Sequence, residues 1–199
     1  LNNFPFPSFS LYKTILRLAG IQVGKNVVIR GRVKFKIRGK AGNIHIGDNV
    51  ILNKNCDIRN RENGKIVLKN KVYIDSNVRI VAAREGVVEI NEGSEIGAGT
   101  IINSGGITKI GRYCLLAGNI NINSSSHGMA KNKYIKDQPH SHGEIFIGDD
   151  VWIGSGASVI KGASIGDGAI IGTNSVVRKE IPSFAVCGGI PAKVIKYRE

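Results

Sequence analysis

Cysteine and aromatic residues are scarce in this chain, and their scarcity excludes several classes of protein. The three cysteines, at positions 56, 114 and 187, are odd in number and form no Cys-x-x-Cys pair. Neither a disulfide scaffold nor a zinc finger is therefore expected, and reduced thiols predict a cytoplasmic protein. Aromatic residues make up 6% of the chain. No RNP-like motif and no recognition-helix pattern is present, so nucleic acid is not an expected partner.

Long apolar runs and acidic residues are also few. No apolar run reaches the roughly 18 residues that a membrane-spanning helix needs. There is no signal-peptide pattern, and the first residue is Leu1 rather than Met. Asp and Glu number 15 against 28 Lys and Arg, which gives a net charge of +13. That charge favours an anionic partner, such as an anionic membrane face or a polyanionic small molecule.

What the chain has in abundance is a six-residue repeat. Residues 147–182 read IGDDVW, IGSGAS, VIKGAS, IGDGAI, IGTNSV and VRKEIP, and a β-branched residue opens every block. Gly, Asp or Asn after the opening residue is typical of a short strand followed by a tight corner. Three such sides would make one triangular coil.

The same phase, extended over residues 23–182, predicts seven coils and one β-domain. Between successive coils lie 5, 4, 4, 2, 19 and 0 extra residues, so every insertion falls on the same corner of the prism. All of the opening residues are apolar: Val23, Ile29, Phe35; Ile46, Leu52, Ile58; Leu68, Ile74, Ile80; Ile90, Ile96, Ile102; Ile110, Leu116, Ile122; Ile147, Ile153, Val159; and Ile165, Ile171, Val177.

Residues 1–22 precede the repeat. They predict an extended apolar segment with Phe4 and Phe6, then a helix that Ser10 caps and that ends near Gly20. Its expected apolar stripe is Leu11, Ile15, Leu18 and Ala19. Such a helix would plug the open end of the rod. Alternatively, this basic and aromatic segment would rest on a membrane that carries a lipid-linked glycan.

Three stretches resemble a known family. Residues 150–154 (DVWIG), 166–172 (GDGAIIG) and 189–195 (GIPAKVI) closely resemble the sugar O-acetyltransferase branch of the hexapeptide-repeat acyltransferases. The resemblance implies an all-β fold, a left-handed parallel β-helix. Its handedness comes from the resemblance alone, because physical rules favour right-handed parallel crossovers.

The 19-residue insertion, residues 128–146, follows the run Ser-Ser-Ser-His that ends at His127. It is too long and polar for a passive turn, and sites are often built on such loops. The resemblance implies that His127 is a general base, because a neutral imidazole can accept the proton of an attacking hydroxyl. Glu144, Asp137 or a backbone carbonyl would orient the ring. The alternative is a plain loop histidine.

His140 and His142 lie in the same insertion. Three histidines raise the alternative of a zinc enzyme like the γ-class carbonic anhydrases, which share the fold and bind zinc. Here the spacing is H-x12-H-x-H within one loop, whereas that family's ligands lie on adjacent coils. We therefore expect no metal. His140 and His142 are assigned to the acceptor pocket or to the loop alone, and Asn103, one coil away from His127, is a weaker candidate for the pocket.

The resemblance also implies a groove for acetyl-CoA between the rods of a homotrimer, completed by the tail at residues 183–199. Its phosphates would be bound by Lys and Arg, although lysine stands at 193 and 196 where relatives use arginine. These charges could also be a plain solvated edge. The residues carried over by position are Trp152, Ser155, Thr173, Arg178, Lys179, Lys193 and Lys196.

The sequence thus predicts an acetyl-CoA-dependent O-acetyltransferase that acts directly on a sugar hydroxyl of a polysaccharide or glycan precursor. It would work in the cytoplasm, at the inner face of the membrane if the N-terminal segment binds there. The alternative within the class is N-acetylation of a nucleotide-linked amino sugar. Serine acetylation, a metal enzyme of the carbonic anhydrase type and an inert solenoid are the further alternatives.

Overall fold

The structure is a computed structural model that describes residues 9–199, with side chains from residue 12 onward. It is a rod of stacked triangular coils, each built from three short strands. In chain order, the first four coils contain β1 (Gln22–Val23), β2 (Val28–Ile29), β3 (Lys34–Gly39); β4 (Ile44–Ile46), β5 (Ile51–Leu52), β6 (Asp57–Glu62); β7 (Lys65–Leu68), β8 (Tyr73–Ile74), β9 (Arg79–Ala82); and β10 (Val87–Ile90), β11 (Glu95–Ile96), β12 (Ile101–Ser104).

The remaining strands complete three further coils, a side ribbon and the C-terminal end. A short 3-10 helix, Ala41–Asn43, precedes β4, and another, Ile135–Asp137, lies between β16 and β17. The strands are β13 (Ile107–Ile110), β14 (Leu115–Leu116), β15 (Asn121–Asn123); β16 (Ser125–His127), β17 (His140–His142); β18 (Ile145–Ile147), β19 (Trp152–Ile153), β20 (Ser158–Ile160); β21 (Ser164–Ile165), β22 (Ile170–Ile171), β23 (Val176–Val177); β24 (Glu180–Ile181), β25 (Ala185–Gly188) and β26 (Lys193–Tyr197).

Stacking of the coils makes three parallel sheets, one on each face of the prism. Sheet A begins with β1 and β4, sheet B with β2 and β5, and sheet C with β3 and β6. The predicted opening residues stack in register. For example, Ile110 is paired with Ile147, Leu116 with Ile153 and Ile122 with Val159. These side chains point inward and are buried, except that Val23 and Phe35 of the first coil are only partly buried against the core. The predicted phase of all seven coils is therefore confirmed.

The corner between sheets A and B needs a left-handed backbone. The fourth residue of every sheet A hexad has a positive φ, from Asn26 (51°) to Phe184 (60°). Gly and Asn tolerate this region best, which explains their frequency in the repeat. Where Tyr113 and Phe184 occupy the position, their rings lie over Gly93 and Gly168 of the preceding coil. A Cβ on either of these glycines would collide with the ring.

Helix α1 (Phe9–Leu18) covers the first coil. Leu16 is 5% exposed and joins the core, whereas Ile15 (45%) and Leu18 (83%) face outward. The predicted stripe was therefore wrong, since the helix docks through Leu16 and through Tyr12, whose hydroxyl donates to the Val33 carbonyl at 2.6 Å. Ser10 lies within the helix and is not its N-cap. The expected extended segment with Phe4 and Phe6 lies outside the described residues.

The C-terminal end extends the coil beyond the predicted boundary at 182. β24 and β25 stack on β21 and β22 as part of an eighth coil, and Cys187 pairs with Ile171. β26 then turns back antiparallel along β25 and covers its edge. An exposed edge would be a template for unwanted pairing, so this strand ends the stack. In residues 9–199, no helix is both long and apolar enough to cross a membrane.

Every insertion lies where the chain passes from sheet C to the next strand of sheet A, which we call the insertion corner. Here the long insertion is not a simple loop. β16 and β17 form an antiparallel two-stranded ribbon with Ser125 opposite His142 and His127 opposite His140. We call this pair of strands the histidine ribbon. The Gly143 amide donates to the Ser124 carbonyl at 2.9 Å, so both ends of the insertion meet at one point.

Candidate active site

The histidine ribbon forms one wall of a cavity of about 390 Å³ at the insertion corner. We call it the histidine cavity. All three histidines of the ribbon line it, together with Asn103 on sheet C. The structure therefore brings together the predicted base and all three predicted acceptor-pocket residues. The full lining is Arg61, Glu62, Val81, Ala83, Arg84, Asn103, Ser104, Gly105, Asn123, Ser125, Ser126, His127, His140 and His142.

His127 presents an exposed imidazole from a fixed backbone. Its strand leaves the buried end of β15, and its backbone pairs with that of His140. The two rings lie with their centroids 4.0 Å apart and their planes tilted by 47°. This contact limits the orientations that the His127 ring can take. The ring can therefore meet a molecule in the cavity from a defined direction.

His142 is held more firmly than its two neighbours. Its Nδ1 lies 2.9 Å from the Ser125 hydroxyl, and its ring fills the space where a Cβ on Gly105 would be. Its Nε2 is buried and has no hydrogen-bond partner in the part of the chain that the structure describes. Burial lowers the pKa of His142, and the positive charges of Arg84, His140 and Lys161 lower it further. The ring is therefore neutral and rigid at neutral pH.

Lys161 locks the two strands of the ribbon together. It comes from the next coil, and its Nζ donates to the hydroxyls of Ser126 at 2.9 Å and Ser141 at 2.8 Å. Its stem crosses Gly143, where a Cβ would collide with it. The two hydroxyls also lie 2.9 Å from each other. This single ammonium group therefore fixes the ribbon, and with it His127, to the rod.

Buried hydroxyl groups support the floor of the cavity. Ser124 is fully buried, and its Oγ accepts hydrogen bonds from the amides of Gly105 at 3.0 Å and Gly106 at 3.1 Å. Thr108 donates to the Ser104 hydroxyl at 3.0 Å in the same cluster. Because buried polar groups are costly when unpaired, this network specifies one conformation for the turn.

Two arginines on the opposite wall were missed by the sequence analysis. Arg61 and Arg84 end the third sides of two successive coils, at the insertion corner. The Arg84 amide donates to the Glu62 carboxylate at 2.8 Å, which fixes the backbone there. The sequence did contain a signal for these two arginines. They lie beside short insertions, and the short insertions fall on the same corner as the long insertion. The histidine cavity therefore has a basic side.

Among the described residues, neither of the two predicted carboxylates, Glu144 and Asp137, nor a backbone carbonyl is hydrogen-bonded to the His127 ring. The neighbouring ring is that of His140. The same residues contain no cluster of three or more His, Cys, Asp or Glu side chains placed to hold a metal ion.

The residues predicted to bind coenzyme A lie elsewhere on the rod. None of the seven is among the described residues that line the histidine cavity. Trp152, 49% exposed, begins a strand of sheet B, and Ser155 and Thr173 occupy exposed turns at the end of that sheet. Arg178 and Lys179 follow β23 on sheet C, whereas Lys193 and Lys196 lie on the exposed strand β26. One chain alone does not bring the two sets together.

Comparisons with known proteins agree with this architecture. The family description "Bacterial transferase hexapeptide (six repeats)" matches residues 144–179. WbbJ of Escherichia coli (strain K12), assigned to lipopolysaccharide biosynthesis as an O-acetyl transferase, is 31% identical over 149 residues, covering 71% of this chain and 75% of WbbJ.

Two examples illustrate the solved structures that share the fold. A maltose O-acetyltransferase from Clostridium difficile 630 has a TM-score of 0.55 at 25% identity, covering 100% of this chain and 80% of its own. AntD, an N-acyltransferase from Bacillus cereus crystallised with dTDP and 3-hydroxybutyryl-CoA, has a TM-score of 0.63 at 20% identity, covering 94% of this chain and 88% of its own. The chain therefore belongs to the hexapeptide-repeat acyltransferase family and folds as a left-handed parallel β-helix.

Proposed function

We propose that the protein is an acetyl-CoA-dependent O-acetyltransferase that acts on a sugar hydroxyl of a polysaccharide or glycan precursor. The observation that carries the proposal is the exposed ring of His127 on the wall of a polar cavity, supported by a locked ribbon. Asparagine, serine and arginine side chains around it are suited to sugar hydroxyl and anionic groups. The likeness to an O-acetyl transferase of lipopolysaccharide biosynthesis supports the same acceptor class.

His127 is the proposed general base. Its neutral imidazole accepts the proton of the acceptor hydroxyl while the oxygen bonds to the carbonyl carbon of the thioester. The carbon–sulfur bond then breaks, and the imidazolium returns the proton to the leaving thiolate. Each proton and bond is accounted for without a further reactant.

Direct transfer is favoured over a covalent acyl-enzyme. Cys56, Cys114 and Cys187 are all buried in the core. Burial raises the pKa of Cys56 to about 11 and also raises the pKa of Cys114 and Cys187. A protonated and inaccessible thiol is a poor nucleophile.

The proposed coenzyme A groove lies between neighbouring chains of a homotrimer. Arg178, Lys179, Lys193 and Lys196 are exposed and form no ion pair among the described residues, so they are available to phosphate groups. The groove residues and His127 lie apart on one chain. In a trimer, the groove residues of one chain would lie close to His127 of a neighbouring chain. Leu115 and Trp152, both about half exposed on sheet B, offer apolar surface for that contact. Light scattering should give three times the 21.4 kDa of one chain.

Because acetyl-CoA is a cytoplasmic metabolite, we place the reaction in the cytoplasm. Contact with the inner face of the membrane through the N-terminal segment is part of this proposal. It is supported by the exposed Ile15 and Leu18 on α1. A vesicle-binding assay with Leu18→Glu tests it, since loss of an apolar anchor should weaken binding.

The experiment that tests the function is a screen of free sugars, nucleotide sugars and lipid-linked glycans with acetyl-CoA, in which thiol release is measured. With the best acceptor, His127→Ala should lower kcat by about 10²- to 10⁴-fold, the usual loss for a general base. Coenzyme A affinity should stay within about twofold, because the ring contacts the reacting atoms and not the phosphates. Retention of more than about a tenth of the wild-type rate would place the base elsewhere. Transfer only to an amino sugar would make the protein an N-acetyltransferase.

A further inference from the structure

Sheet C carries an unusual concentration of positive charge on its outer face. In the first three coils, six outward-facing cations stand against two carboxylates, those of Asp57 and of Glu62, which is exposed at the end of β6. The alternate residues of these strands point inward and form part of the core, as the period of a β-strand requires. We call this surface the basic strip, and its members are Lys34, Lys36, Arg38, Arg59, Arg61 and Arg79.

Four of the six cations of the basic strip are paired with each other in the sheet, whereas Lys34 and Arg79 flank Asp57. Lys36 is paired with Arg59, and Arg38 with Arg61, on adjacent parallel strands. Such strands lie about 4.8 Å apart, so like charges face each other at close range. This arrangement is unfavourable for folding unless an anion offsets it. Several adjacent cationic side chains on one face of a sheet indicate a binding surface for an anion.

Little within the chain neutralises the basic strip. Arg59 forms an ion pair with Asp57, whereas the other five cations form none among the described residues. The Nε of Arg79 is buried and has no hydrogen-bond partner there. The hydrogen bond from Arg59 holds the pKa of the Asp57 carboxyl below its usual range, and the charges of Arg59, Lys36 and Arg79 act in the same direction. The strip is therefore short of negative charge.

The basic strip runs directly into the histidine cavity. Arg61 belongs to both, and the row that contains Arg59 continues across the sheet through Val81 and Asn103, which line the cavity. A chain molecule lying on the strip would therefore reach the ribbon with its end or with one of its units. The surface has no exposed large apolar side chain in these three strands, so it lacks the apolar groups that insert into a lipid layer.

We propose that the acceptor is an acidic glycan whose chain lies along the basic strip and places one sugar unit in the histidine cavity. This inference rests on the proposed function, because it assigns the acceptor of that reaction. Carboxylate or phosphate groups on successive units would pair with Lys36, Arg38 and Arg61. Asn103 would contact the hydroxyl groups of the unit that reacts. A neutral glycan would leave the positive charge of the basic strip without a negative partner.

The first test is equilibrium binding without acetyl-CoA. Hexagalacturonic acid and hexasialic acid serve as acidic probes, and maltohexaose serves as the neutral one. We expect the two acidic probes to bind and maltohexaose not to bind. The Lys36→Gln/Arg38→Gln variant should bind the acidic probes about three- to tenfold more weakly, as expected for the loss of two exposed ion pairs. The control Lys65→Gln/Lys109→Gln removes the same charge from exposed positions of sheet A and should bind like the wild type.

Salt provides a second measure on the same proteins. Binding to the wild type should weaken as salt rises, since surface charges are screened beyond about 8 Å at physiological ionic strength. The Lys36→Gln/Arg38→Gln variant should show a smaller salt dependence. Failure of both acidic probes to bind, or equal binding by this variant and its control, would overturn the proposal. Binding to vesicles of phosphatidylglycerol in place of either glycan would assign the strip to a membrane and overturn it equally.

Transfer assays separate this proposal from the function on which it rests. With an acidic acceptor, the strip variant should raise KM about three- to tenfold and leave kcat within about twofold. If acidic glycans bind to the strip but no acceptor is acetylated, the proposed function fails and the strip keeps its assignment. If neutral acceptors are acetylated as well by the strip variant as by the wild type, and better than acidic ones, the function stands and this proposal fails.

Discussion

The imidazole rings of His127 and His140 face each other across the histidine ribbon, with their centroids 4.0 Å apart. They occupy paired positions of two antiparallel strands, so the backbone fixes their separation. A flexible loop would allow the His127 ring many orientations. The ribbon, together with the ring of His140, leaves the His127 ring few orientations.

This contact predicts that His140 positions His127. His140→Ala should lower kcat by about tenfold, because a small displacement of a reacting group is costly, with KM changed less. In a His127→Ala background the same change should have almost no effect, since the two rings act as a unit. Steady-state kinetics of the two single variants and the double variant measure this coupling. Met129→Ala, a change at an exposed position of the same insertion, is the control and should be silent.

Lys161→Met should loosen the ribbon without unfolding the rod. The variant loses the hydrogen bonds to Ser126 and Ser141 but keeps the apolar stem over Gly143. We expect amide hydrogen exchange to become faster in the ribbon and to stay unchanged in the stacked coils. The value of kcat should fall about tenfold. Lys69→Met, at an exposed turn on sheet A, is the matched control. Unchanged exchange at the amide of His127 would contradict the role of Lys161.

His142 predicts a pH dependence of stability. The pKa of His142 in the folded protein lies below the usual histidine value of 6.5, chiefly because the ring is buried. The unfolded chain therefore binds more protons than the folded one as the pH falls through this value. The free energy of unfolding should decrease as the pH is lowered below about 6.5 and level off below the folded pKa. Urea unfolding between about pH 5 and 8 measures this, and His142→Asn should reduce the slope. An identical slope in the variant would show that another group is responsible.

The coenzyme A groove can be tested by charge removal. Arg178→Ala/Lys179→Ala should weaken coenzyme A binding by about tenfold, since each contact between a cation and a phosphate is charge-assisted. Dephospho-coenzyme A should bind to the wild type less well than coenzyme A. The control Lys131→Ala/Lys133→Ala removes two exposed charges from the long insertion and should keep the affinity. Arg178 and Lys179 would be excluded from the groove if calorimetry found that the variant binds coenzyme A as tightly as the wild type and that the wild type binds both forms of coenzyme A equally.

Most of the rod could be predicted from the sequence because its rule is local. A β-branched residue every six positions places Ile147, Ile153 and Val159 on three faces, and stacking then fixes their partners. The helix was less predictable. Whether Ile15 or Leu16 faces the core depends on how the helix docks on the first coil, and a pattern within ten residues does not contain that information.

The three histidines of the cavity could be singled out from the sequence, but their geometry could not be predicted, and the two arginines opposite them were missed. His127, His140 and His142 stood out as histidines in one long insertion. The pairing of His127 with His140, and the lock that Lys161 provides, depend on contacts between residues far apart in the sequence. Arg61 and Arg84 reach the cavity because coils stack, although they are more than forty residues from the ribbon.

The closure of the long insertion at its base has an evolutionary consequence. The amide of Gly143 meets the carbonyl of Ser124, and β18 stacks on β13 in the register that an uninterrupted repeat would have. Substitutions, deletions or exchanges between residues 128 and 139 should therefore leave the strands of the rod where they are. Selection can alter the chemistry of this segment while the stability of the scaffold is preserved, so relatives can diverge in the molecule they modify without diverging in fold.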